Sequence, residues 1–273
     1  MINILYAGNK KAFVDNFVSV LSMCENTSEE LNIYFLTIHI PKIEPKGRPL
    51  TKEHEAFMDN LVKSYNIKSF YKVIDVTNIY LECFKDSKNL YNHFSPYTLI
   101  RLVAEKVDLP DKLIYLDNDT IVHQNIKEFY SIDISRHELG VVKDIYRPFW
   151  SQYFNAGVLL INMKKVKESK LFTRAIKLLN QKKYLFADQS VLNILTRKTK
   201  LMLPRKYNAM ENGNSKGVIH HICNVRASKI FLSPKWFKRL KTVNLDIIEK
   251  KITNAKIYYD KLKKVKLNNP ELF

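Results

Sequence analysis

Short runs of β-branched and aromatic residues alternate with amphipathic segments along most of the chain. Such runs predict buried strands, whereas apolar residues that recur at helical spacing predict helices. The pattern predicts strands at 2–7, 31–40, 72–76, 112–122, 139–145, 154–163 and 217–223, and helices at 12–23, 51–65, 97–107, 164–182 and 188–197. Because strands alternate with helices, we expect an α/β fold with a mostly parallel central sheet and right-handed crossovers.

Two polar segments interrupt this alternation, and the composition becomes basic towards the C-terminus. Residues 84–96 and 208–217 are rich in Asn, Lys and Ser, and we expect a surface loop at 84–96 and a loop at 208–217. In residues 242–266, apolar side chains recur at helical spacing between lysines, which predicts a basic amphipathic helix. We therefore divide the chain into a domain over 1–232 and a basic helical extension over 233–273.

Composition and charge narrow the classes of partner. The 273 residues are 46% hydrophobic and carry a net charge of +18, so a packed core can form and anionic partners are expected. About half of that charge lies in residues 225–273, which hold 13 Lys/Arg against 4 Asp/Glu. Nucleotide diphosphates, nucleic acid and an acidic membrane surface are all compatible with it.

Targeting and redox signals favour the cytoplasm. The N-terminus lacks a signal-peptide core, and no apolar run approaches the roughly 20 residues that cross a bilayer. Cys24, Cys83 and Cys223 form no CxxC pair, which fits a reducing compartment and disfavours a cysteine zinc site. The six glycines include neither GxGxxG nor a P-loop pattern, which disfavours a dinucleotide oxidoreductase or a P-loop NTPase.

The segment Leu113–Asp119 ends an apolar run with two carboxylates one residue apart. In extended backbone, Asp117 and Asp119 point the same way, so both can face one divalent cation at the carboxyl end of a strand. Carboxylate and diphosphate oxygens suit Mg²⁺ or Mn²⁺. A solvated turn after a strand is the alternative. His220-His221 in the last strand offers a further metal ligand, although a structural role is commoner for a histidine.

Together with four other segments, the sequence LIYLDNDTIV resembles the family 8 glycosyltransferases, which include bacterial lipopolysaccharide galactosyl- and glucosyltransferases and glycogenin. The other matching segments follow the family's order: Tyr97–Arg101, Phe154–Asn162 with its FNAG sequence, Ala187–Asn193 with its Asp-Gln pair, and His221. The resemblance covers residues 2–232. It implies a Rossmann-like, nucleotide-sugar-binding catalytic domain of the glycosyltransferase A type.

The resemblance also implies a role for each matched residue. Asp117, Asp119 and His221 would hold Mn²⁺ or Mg²⁺ against the diphosphate of a UDP-sugar, which stabilises the UDP leaving group. Asp188 and Gln189 would be catalytic, with Gln189 near the anomeric carbon. The donor-binding residues implied are Ala7, Asn9, Arg101, Asn118, Asn155, Ala156, Asp188, Gln189 and Lys229, with Asp144 and His93 nearby. Family members retain the anomeric configuration, and a neutral amide is a poor nucleophile, so a front-face route is favoured.

Three of these residues also have structural interpretations. Arg101 could be a surface charge on its helix. Asn155 could be a turn residue that bonds its own backbone. Asp188 could be the N-cap of the helix that follows it.

The opening loop Ala7–Phe13 departs from the family pattern. It carries Asn9, Lys10 and Lys11 where the family has acidic residues, and its aromatic residue is displaced to Phe13. Asn9 can still hydrogen-bond a base edge, and the two lysines could meet phosphate.

The segment after His221 also departs from the pattern, because the family's Gly and its Lys-Pro-Trp sequence are missing. This leaves Arg226 or Lys229 to replace the phosphate-binding lysine. Both departures keep a degenerate, non-catalytic transferase fold open as an alternative function.

These features predict a retaining transfer of a hexose, with galactose or glucose favoured, from a UDP-sugar to a glycan, glycolipid or lipid-linked acceptor in bacterial cell-envelope synthesis. A metal-dependent nucleotidyl- or phosphotransferase is a further alternative. Trp236, Phe237 and the lysines of 233–266 could bring the protein to the inner face of an anionic membrane, or could form an ordinary helix packed on the domain. We expect no nucleic-acid partner.

Overall fold

The hydrophobic runs form the strands of a central sheet in the computed structural model. The structure describes residues 1–91, 95–147, 149–210, 217–222 and 255–273. The predictions that lie outside the described residues concern His93, Cys223, Arg226, Lys229 and the segment 233–254 with Trp236 and Phe237.

The strands confirm the predicted α/β fold. They are β1 Ile2–Gly8, β2 Leu31–Thr37, β3 Phe70–Asp75, β4 Lys112–Leu116, β5 Thr120–Val122, β6 Leu139–Lys143, β7 Phe154–Asn162, β8 Lys200–Leu203 and β9 Ile219–His221. In the described part of the chain, seven of them form one sheet in the order β3-β2-β1-β4-β7-β6-β8. β7 is antiparallel to β4 and β6, whereas the other neighbours are parallel. β5 and β9 form a separate antiparallel pair.

Helices connect the strands and cover both faces of the sheet. The α-helices are α1 Phe13–Asn26, α2 Lys52–Tyr65, α3 Thr77–Phe84, α4 Lys127–Ser131, α5 Met163–Ser169, α6 Leu171–Gln181, α7 Ala187–Leu195 and α8 Ala255–Asn268. The 3₁₀ helices are Lys10–Ala12, Lys88–Tyr91, Pro96–Lys106 and Arg205–Tyr207. Alternate residues of β1 enter two different cores, with Ile2 and Ile4 on one face and Leu5 and Ala7 on the other. A central strand covered on both faces is expected to be nearly continuously apolar.

Two predicted elements are divided in the structure. The strand predicted over 112–122 is interrupted between β4 and β5, so Asp117 and its two successors leave the sheet. The helix predicted over 164–182 breaks at Lys170, whose φ of 54° is left-handed and separates α5 from α6. β8, α3 and α4 were not predicted from the pattern.

The prediction of a surface loop at 84–96 is wrong for the residues that pack inside. Phe84 ends α3 and is fully buried, and Asn89 is buried as well. Asn89 Nδ2 donates to the carbonyl oxygens of Leu179 and Lys182, at 2.5 and 2.9 Å, where α6 ends. The last carbonyls of a helix need such partners, so a polar sequence does not imply solvent exposure. Residues 208–210 are buried too.

The apolar face of α8, the described part of the basic extension, is covered by the domain. Tyr259 and Leu262 belong to the same core as α1, and Asn26 Nδ2 donates to Tyr258 Oη at 2.9 Å. The lysines of α8 are exposed. Over these residues the helix therefore matches the interpretation of a helix packed on the domain with a solvated lysine face. Among the helices that the structure describes, none has the length and apolarity needed to span a membrane.

The last three residues pack beside the loop that follows β1, and we call them the terminal strap (271–273). The carbonyl oxygen of Glu271 accepts from Lys10 Nζ at 3.0 Å, and that of Leu272 lies 3.1 Å from His54 Nε2. The Phe273 ring lies 5.1 Å from the Phe13 ring. The strap thus joins the C-terminal segment to the start of the domain.

Phe273→Ala should lower the free energy of unfolding by about 2 kcal/mol, because it removes a partly buried ring that contacts other aromatic rings. Urea denaturation followed by circular dichroism measures the change. Leu267→Ala is the control, because Leu267 is 81% exposed, and its effect should stay within about 0.5 kcal/mol. Equal effects of the two substitutions would contradict a stabilising strap.

Candidate functional site

Asp117 lies where β4 leaves the sheet. β4 pairs with β7 so that Leu116 is opposite Val158, and the backbone N–H of Asp117 donates to the carbonyl oxygen of Gly157 at 2.7 Å. Because β7 is antiparallel, its amino end lies at the same edge as the carboxyl ends of β1 and β4. Open α/β sheets bind their ligands at this edge.

His221 joins the two aspartates although about one hundred residues separate them along the chain. In the β5–β9 pair it lies opposite Thr120, and the N–H of Ile222 donates to Asp119 O at 2.8 Å. One ligand atom from each of Asp117, Asp119 and His221 lies within 4.8 Å of the others. His221 Nε2 is 3.4 Å from Asp119 Oδ1 and 3.7 Å from Asp117 Oδ2. Two carboxylates and an imidazole therefore face one small volume, a donor set that suits a divalent cation.

Asn208 orients the ring of His221. Its Oδ1 lies 3.2 Å from His221 Nδ1, while its Nδ2 donates to Asn155 Oδ1 at 3.2 Å. An amide oxygen only accepts, so Nδ1 carries the hydrogen and Nε2 presents its lone pair to the two aspartates. Sequence reasoning missed Asn208, because its polar surroundings along the chain indicate a loop. Its only sequence signal is its position shortly before the His-containing strand.

Gly157 leaves the space that the His221 ring occupies. A Cβ atom built on Gly157 would lie 2.0 Å from His221 Cε1. Two non-bonded carbon atoms do not approach so closely, since their optimal separation is about 3.5 to 4 Å. The glycine of the FNAG segment therefore has a steric role in placing His221.

Arg101 is buried, so its interpretation as a surface charge is wrong. Its Nη2 donates to Asp117 Oδ1 at 2.9 Å, its Nη1 donates to the carbonyl oxygen of Ala156, and its Nε lies 3.1 Å from Asp188 Oδ2. Burial alone would lower the pKa of Arg101, but Asp117, Tyr115 and Asp188 raise it above its ordinary value. The guanidinium therefore stays charged and links three of the segments that carry the family resemblance.

Tyr115 is a second residue that sequence reasoning missed. It lies inside β4, where its apolar neighbours indicate only a core position. Its hydroxyl donates to Asp117 Oδ1 at 2.9 Å, and its ring lies 4.2 Å from Cζ of Arg101. Because Tyr115 and Arg101 both bond Oδ1 of Asp117, it is the other carboxylate oxygen, Oδ2, that faces His221.

Asp188 lies in the first turn of α7 and is buried. The N-cap of α7 is Phe186, so the N-cap interpretation of Asp188 is wrong. Burial raises the pKa of Asp188 to about 6, and the charge of Arg101 opposes this rise. The carboxylate is thus held in a poorly solvated position by a fixed cation.

Gln189 is held at both ends of its amide group. Its Oε1 accepts from the N–H of Ala156 at 3.0 Å, and its Nε2 donates to Asp144 Oδ2 at 3.4 Å. Asp144 is fully buried and accepts from Arg147 Nη1 at 2.5 Å. The amide is therefore fixed against the FNAG segment, where it can orient a ligand.

Asn155 and Asn118 connect the site to its neighbours. Asn155 Oδ1 accepts from the N–H of Gly157 at 2.9 Å, so it bonds nearby backbone, although it lies in β7 and not in a turn. Asn118 Nδ2 donates to the carbonyl oxygen of Ala7 at 2.8 Å, which ties the aspartate segment to the end of β1. Within the described residues, the buried Asn118 Oδ1 has no hydrogen-bond partner. Asn9, just beyond β1, is buried as well.

The structure directs several candidate residues away from the metal ligands. Phe13 is fully buried in the core, so it does not supply an exposed aromatic cover. Lys10 bonds the terminal strap and Lys11 pairs with Glu44 at 3.4 Å. His220 is buried, and burial lowers its pKa to about 4, which fits a structural histidine.

Comparison of the sequence with known families gives one match over most of the chain. The profile described as Glycosyl transferase family 8 matches residues 3–230. A candidate glycosyltransferase from Haemophilus influenzae is 27% identical over 191 residues, which cover 64% of this chain and 53% of that protein. A lipopolysaccharide 1,2-glucosyltransferase from Escherichia coli is 32% identical over 114 residues, which cover 37% of this chain and 34% of that protein. The chain therefore spans between a third and about half of these curated relatives.

Solved structures share the fold. The galactosyltransferase LgtC, crystallised with donor and acceptor sugar analogs, superposes with a TM-score of 0.67 at 18% identity, covering 96% of each chain. GlyE of Streptococcus pneumoniae superposes with a TM-score of 0.63 at 20% identity, covering 96% of this chain and 63% of GlyE. The fold is thus the α/β fold of the glycosyltransferase A type. The family profile matches well over half of the chain. The chain therefore belongs to glycosyltransferase family 8.

Gly157→Ala should weaken Mn²⁺ affinity by about ten- to a hundredfold, because the added methyl group displaces the His221 ring without changing any candidate ligand. Electron paramagnetic resonance of free Mn²⁺ during titration in the presence of UDP measures the affinity. Gly140→Ala is the matched control, since its new Cβ would meet Leu203 Cδ1 at 2.9 Å, Leu160 Cβ at 3.3 Å and Ile134 Cγ2 at 3.5 Å, none of which belongs to a candidate metal ligand. Unchanged Mn²⁺ affinity in folded Gly157→Ala would refute the steric role.

Arg101→Lys should lower the free energy of unfolding by about 3 kcal/mol, because a lysine cannot reach all the partners of the buried guanidinium. Urea denaturation measures this change. The same substitution at Arg174, which is 46% exposed, should stay within about 0.5 kcal/mol. If both variants unfold like the wild type, the Arg101 network does not stabilise the fold.

Proposed function

We propose that this protein is a retaining hexosyltransferase that moves galactose or glucose from a UDP-sugar to a glycan, glycolipid or lipid-linked acceptor. The observation that carries the proposal is the convergence of Asp117, Asp119 and His221 beside the network of Arg101 and Gln189. The family supplies the reaction class, and this convergence supplies a place for a nucleotide diphosphate.

The candidate ligands fit Mn²⁺ or Mg²⁺. Both ions accept carboxylate oxygens, and the imidazole of His221 favours Mn²⁺ of the two. Asn208 supports this assignment because it leaves His221 Nε2 as an acceptor. When bound, the ion would neutralise charge that develops on the UDP leaving group.

The surrounding residues are assigned to the donor. Among the described residues, Asn118 Oδ1 has no hydrogen-bond partner, which supports a contact with a ribose hydroxyl next to Ala7 and Asn9. Asp188 accepts from the donor hexose, and Arg101 holds its carboxylate in place. Asn155 and Ala156 are also assigned to donor binding, because they adjoin both Gln189 and the candidate metal ligands.

Retention is assigned to a front-face route. Gln189 is a neutral amide whose two ends are already hydrogen-bonded, which supports an orienting role over attack on the anomeric carbon. The bond from the acceptor oxygen to the anomeric carbon forms on the face from which the bond to the UDP oxygen breaks. The acceptor proton passes to the departing phosphate oxygen.

We place the catalytic domain at 1–232 and the reaction in the cytoplasm, where Cys24 and Cys83 remain unpaired thiols. We also propose that the protein contacts the inner face of an anionic membrane. Over the described residues of α8 it would use the exposed lysines, because the apolar face packs on the domain.

Asp119→Ala should reduce hydrolysis of the accepted UDP-sugar by at least about a hundredfold, because one metal ligand is lost. The measurement is product release from a panel of UDP-sugars with Mn²⁺ and with a chelator. Asp108→Ala, at an exposed aspartate outside the site, should match the wild type.

The products separate the competing functions. UDP plus a hexose that first appears in the donor's anomeric form supports the proposal. UMP plus a hexose 1-phosphate would indicate a nucleotidyltransferase. A folded wild type that neither binds UDP nor turns over any UDP-sugar would indicate a non-catalytic fold.

A further inference from the structure

Two serines of α1 lie in the hydrophobic core. Ser19 and Ser22 are fully buried, and their spacing along the helix places them on one face. A buried hydroxyl group costs free energy unless it is hydrogen-bonded, and an apolar residue at either position would avoid that cost. The partners of the two serines should therefore explain why hydroxyl groups lie in this core.

Both serines form hydrogen bonds with β5, the strand that follows the two candidate aspartate ligands. The N–H of Val122 donates to Ser22 Oγ at 2.9 Å, and Ser19 Oγ lies 2.7 Å from Thr120 Oγ1. The Thr120 hydroxyl in turn donates to the carbonyl oxygen of Asp117 at 3.0 Å. The first long helix of the domain is therefore bonded to the segment that carries the aspartates.

Tyr6 of β1 extends these contacts into a chain of three hydroxyl groups. Its Oη lies 2.7 Å from Ser19 Oγ, and Tyr6, Ser19 and Thr120 are each at most 1% exposed. Burial raises the pKa of Tyr6, so the phenol keeps its hydrogen. The chain therefore runs through the core from β1, by way of α1, to the segment that follows β4.

The direction of each hydrogen bond in this chain is fixed. A hydroxyl group has one hydrogen to donate, and Thr120 gives its hydrogen to the carbonyl oxygen of Asp117. Ser19 must therefore donate to Thr120, and Tyr6 must donate to Ser19. Hydrogen bonds that are aligned in this way polarise one another, so loss of the Tyr6 hydroxyl would also weaken the bond to Asp117.

Thr120 adjoins all the candidate metal ligands. It bonds the backbone of Asp117, directly follows Asp119 and lies opposite His221 in the β5–β9 pair. Its hydroxyl bridges the segment 117–120, where β4 ends and β5 begins. Rotation of the backbone in this segment would move the Asp119 carboxylate relative to that of Asp117. Cation binding depends on that separation, because metal ligands must be held in place by the groups around them.

We propose that Thr120 is a positioning residue for the metal ligands and that Tyr6 and Ser19 act through it. The chain of hydroxyl groups holds the carbonyl group of Asp117 and thereby sets the separation of the two carboxylates before a cation binds. Thr120 acts on the backbone of the aspartate segment and is not itself a ligand. This inference rests on the proposed function, because it takes the three candidate ligands as a site for Mn²⁺ or Mg²⁺.

The Mn²⁺ affinity of two Thr120 variants tests the proposal. Free Mn²⁺ is followed by electron paramagnetic resonance while the full chain is titrated in the presence of UDP. Thr120→Val keeps the shape of the side chain but removes the hydroxyl, so it should weaken the affinity by about tenfold or more. Thr120→Ser keeps the hydroxyl and should stay within about threefold of the wild type. Unchanged affinity in folded Thr120→Val, or equal losses in the two variants, would overturn the proposal.

Two buried tyrosines that bond the same helix provide a matched pair of variants. Tyr6→Phe removes the hydroxyl farthest from Asp117 and should weaken Mn²⁺ affinity by at least about threefold. Tyr71→Phe removes a buried hydroxyl that bonds Asn16 Oδ1 of α1 at 2.7 Å, and it should change the affinity by less than about twofold. Both are compared under conditions in which urea denaturation shows them to be folded. Equal affinities would overturn the proposal, and this comparison decides the test if Thr120→Val does not fold.

Mn²⁺ binding by the wild type separates this inference from the proposed function. A wild type that binds no Mn²⁺ in the presence of UDP would overturn both the metal assignment and the positioning role of Thr120. A wild type that binds Mn²⁺ no more tightly than Thr120→Val would overturn the positioning role alone. Hydrolysis of UDP-sugars by the wild type is scored separately, so failure of the transferase assignment is recognised without reference to Thr120.

Discussion

The buried guanidinium of Arg101 is the interaction on which the site depends. Its partners come from the end of β4, the start of β7 and the first turn of α7, so one cation fixes the relative positions of three segments that are distant in sequence. A buried charge is tolerated only when its donors are matched, and a planar guanidinium fixes the direction of each bond. Displacing any one partner would therefore displace the others.

The sequence predicted the sheet well, because alternation of apolar runs and helical spacing is a local property. It also predicted that Asp117 and Asp119 face one small volume, although the extended backbone on which that prediction relied is interrupted between β4 and β5. It did not predict Asn208 or Asn89, because an asparagine in a polar stretch has the same local pattern whether it is solvated or satisfies a buried partner. Tyr115 was hidden for the opposite reason, since its apolar neighbours mask its hydroxyl.

The net charge of the chain indicated anionic partners, but it did not indicate which lysine and arginine side chains would bind them. Lys10 serves the terminal strap, Lys11 pairs with Glu44, and the lysines of α8 cover a helix that is already packed. Lys143 ends β6 and Arg205 follows β8, so these two basic residues lie where two parallel strands end side by side. Topology, which is not a local property of sequence, therefore decides where each basic residue lies.

The pairing of Thr120 with His221 has a consequence for how the protein folds during translation. It closes a chain segment of about one hundred residues, and such closure carries an entropic penalty of about 4 to 5 kcal/mol in simple polymer estimates. During synthesis on the ribosome, most of the central sheet emerges before His221 does. The nascent chain therefore holds Asp117 and Asp119 without His221 for most of translation, and the cluster of three candidate ligands is completed only late.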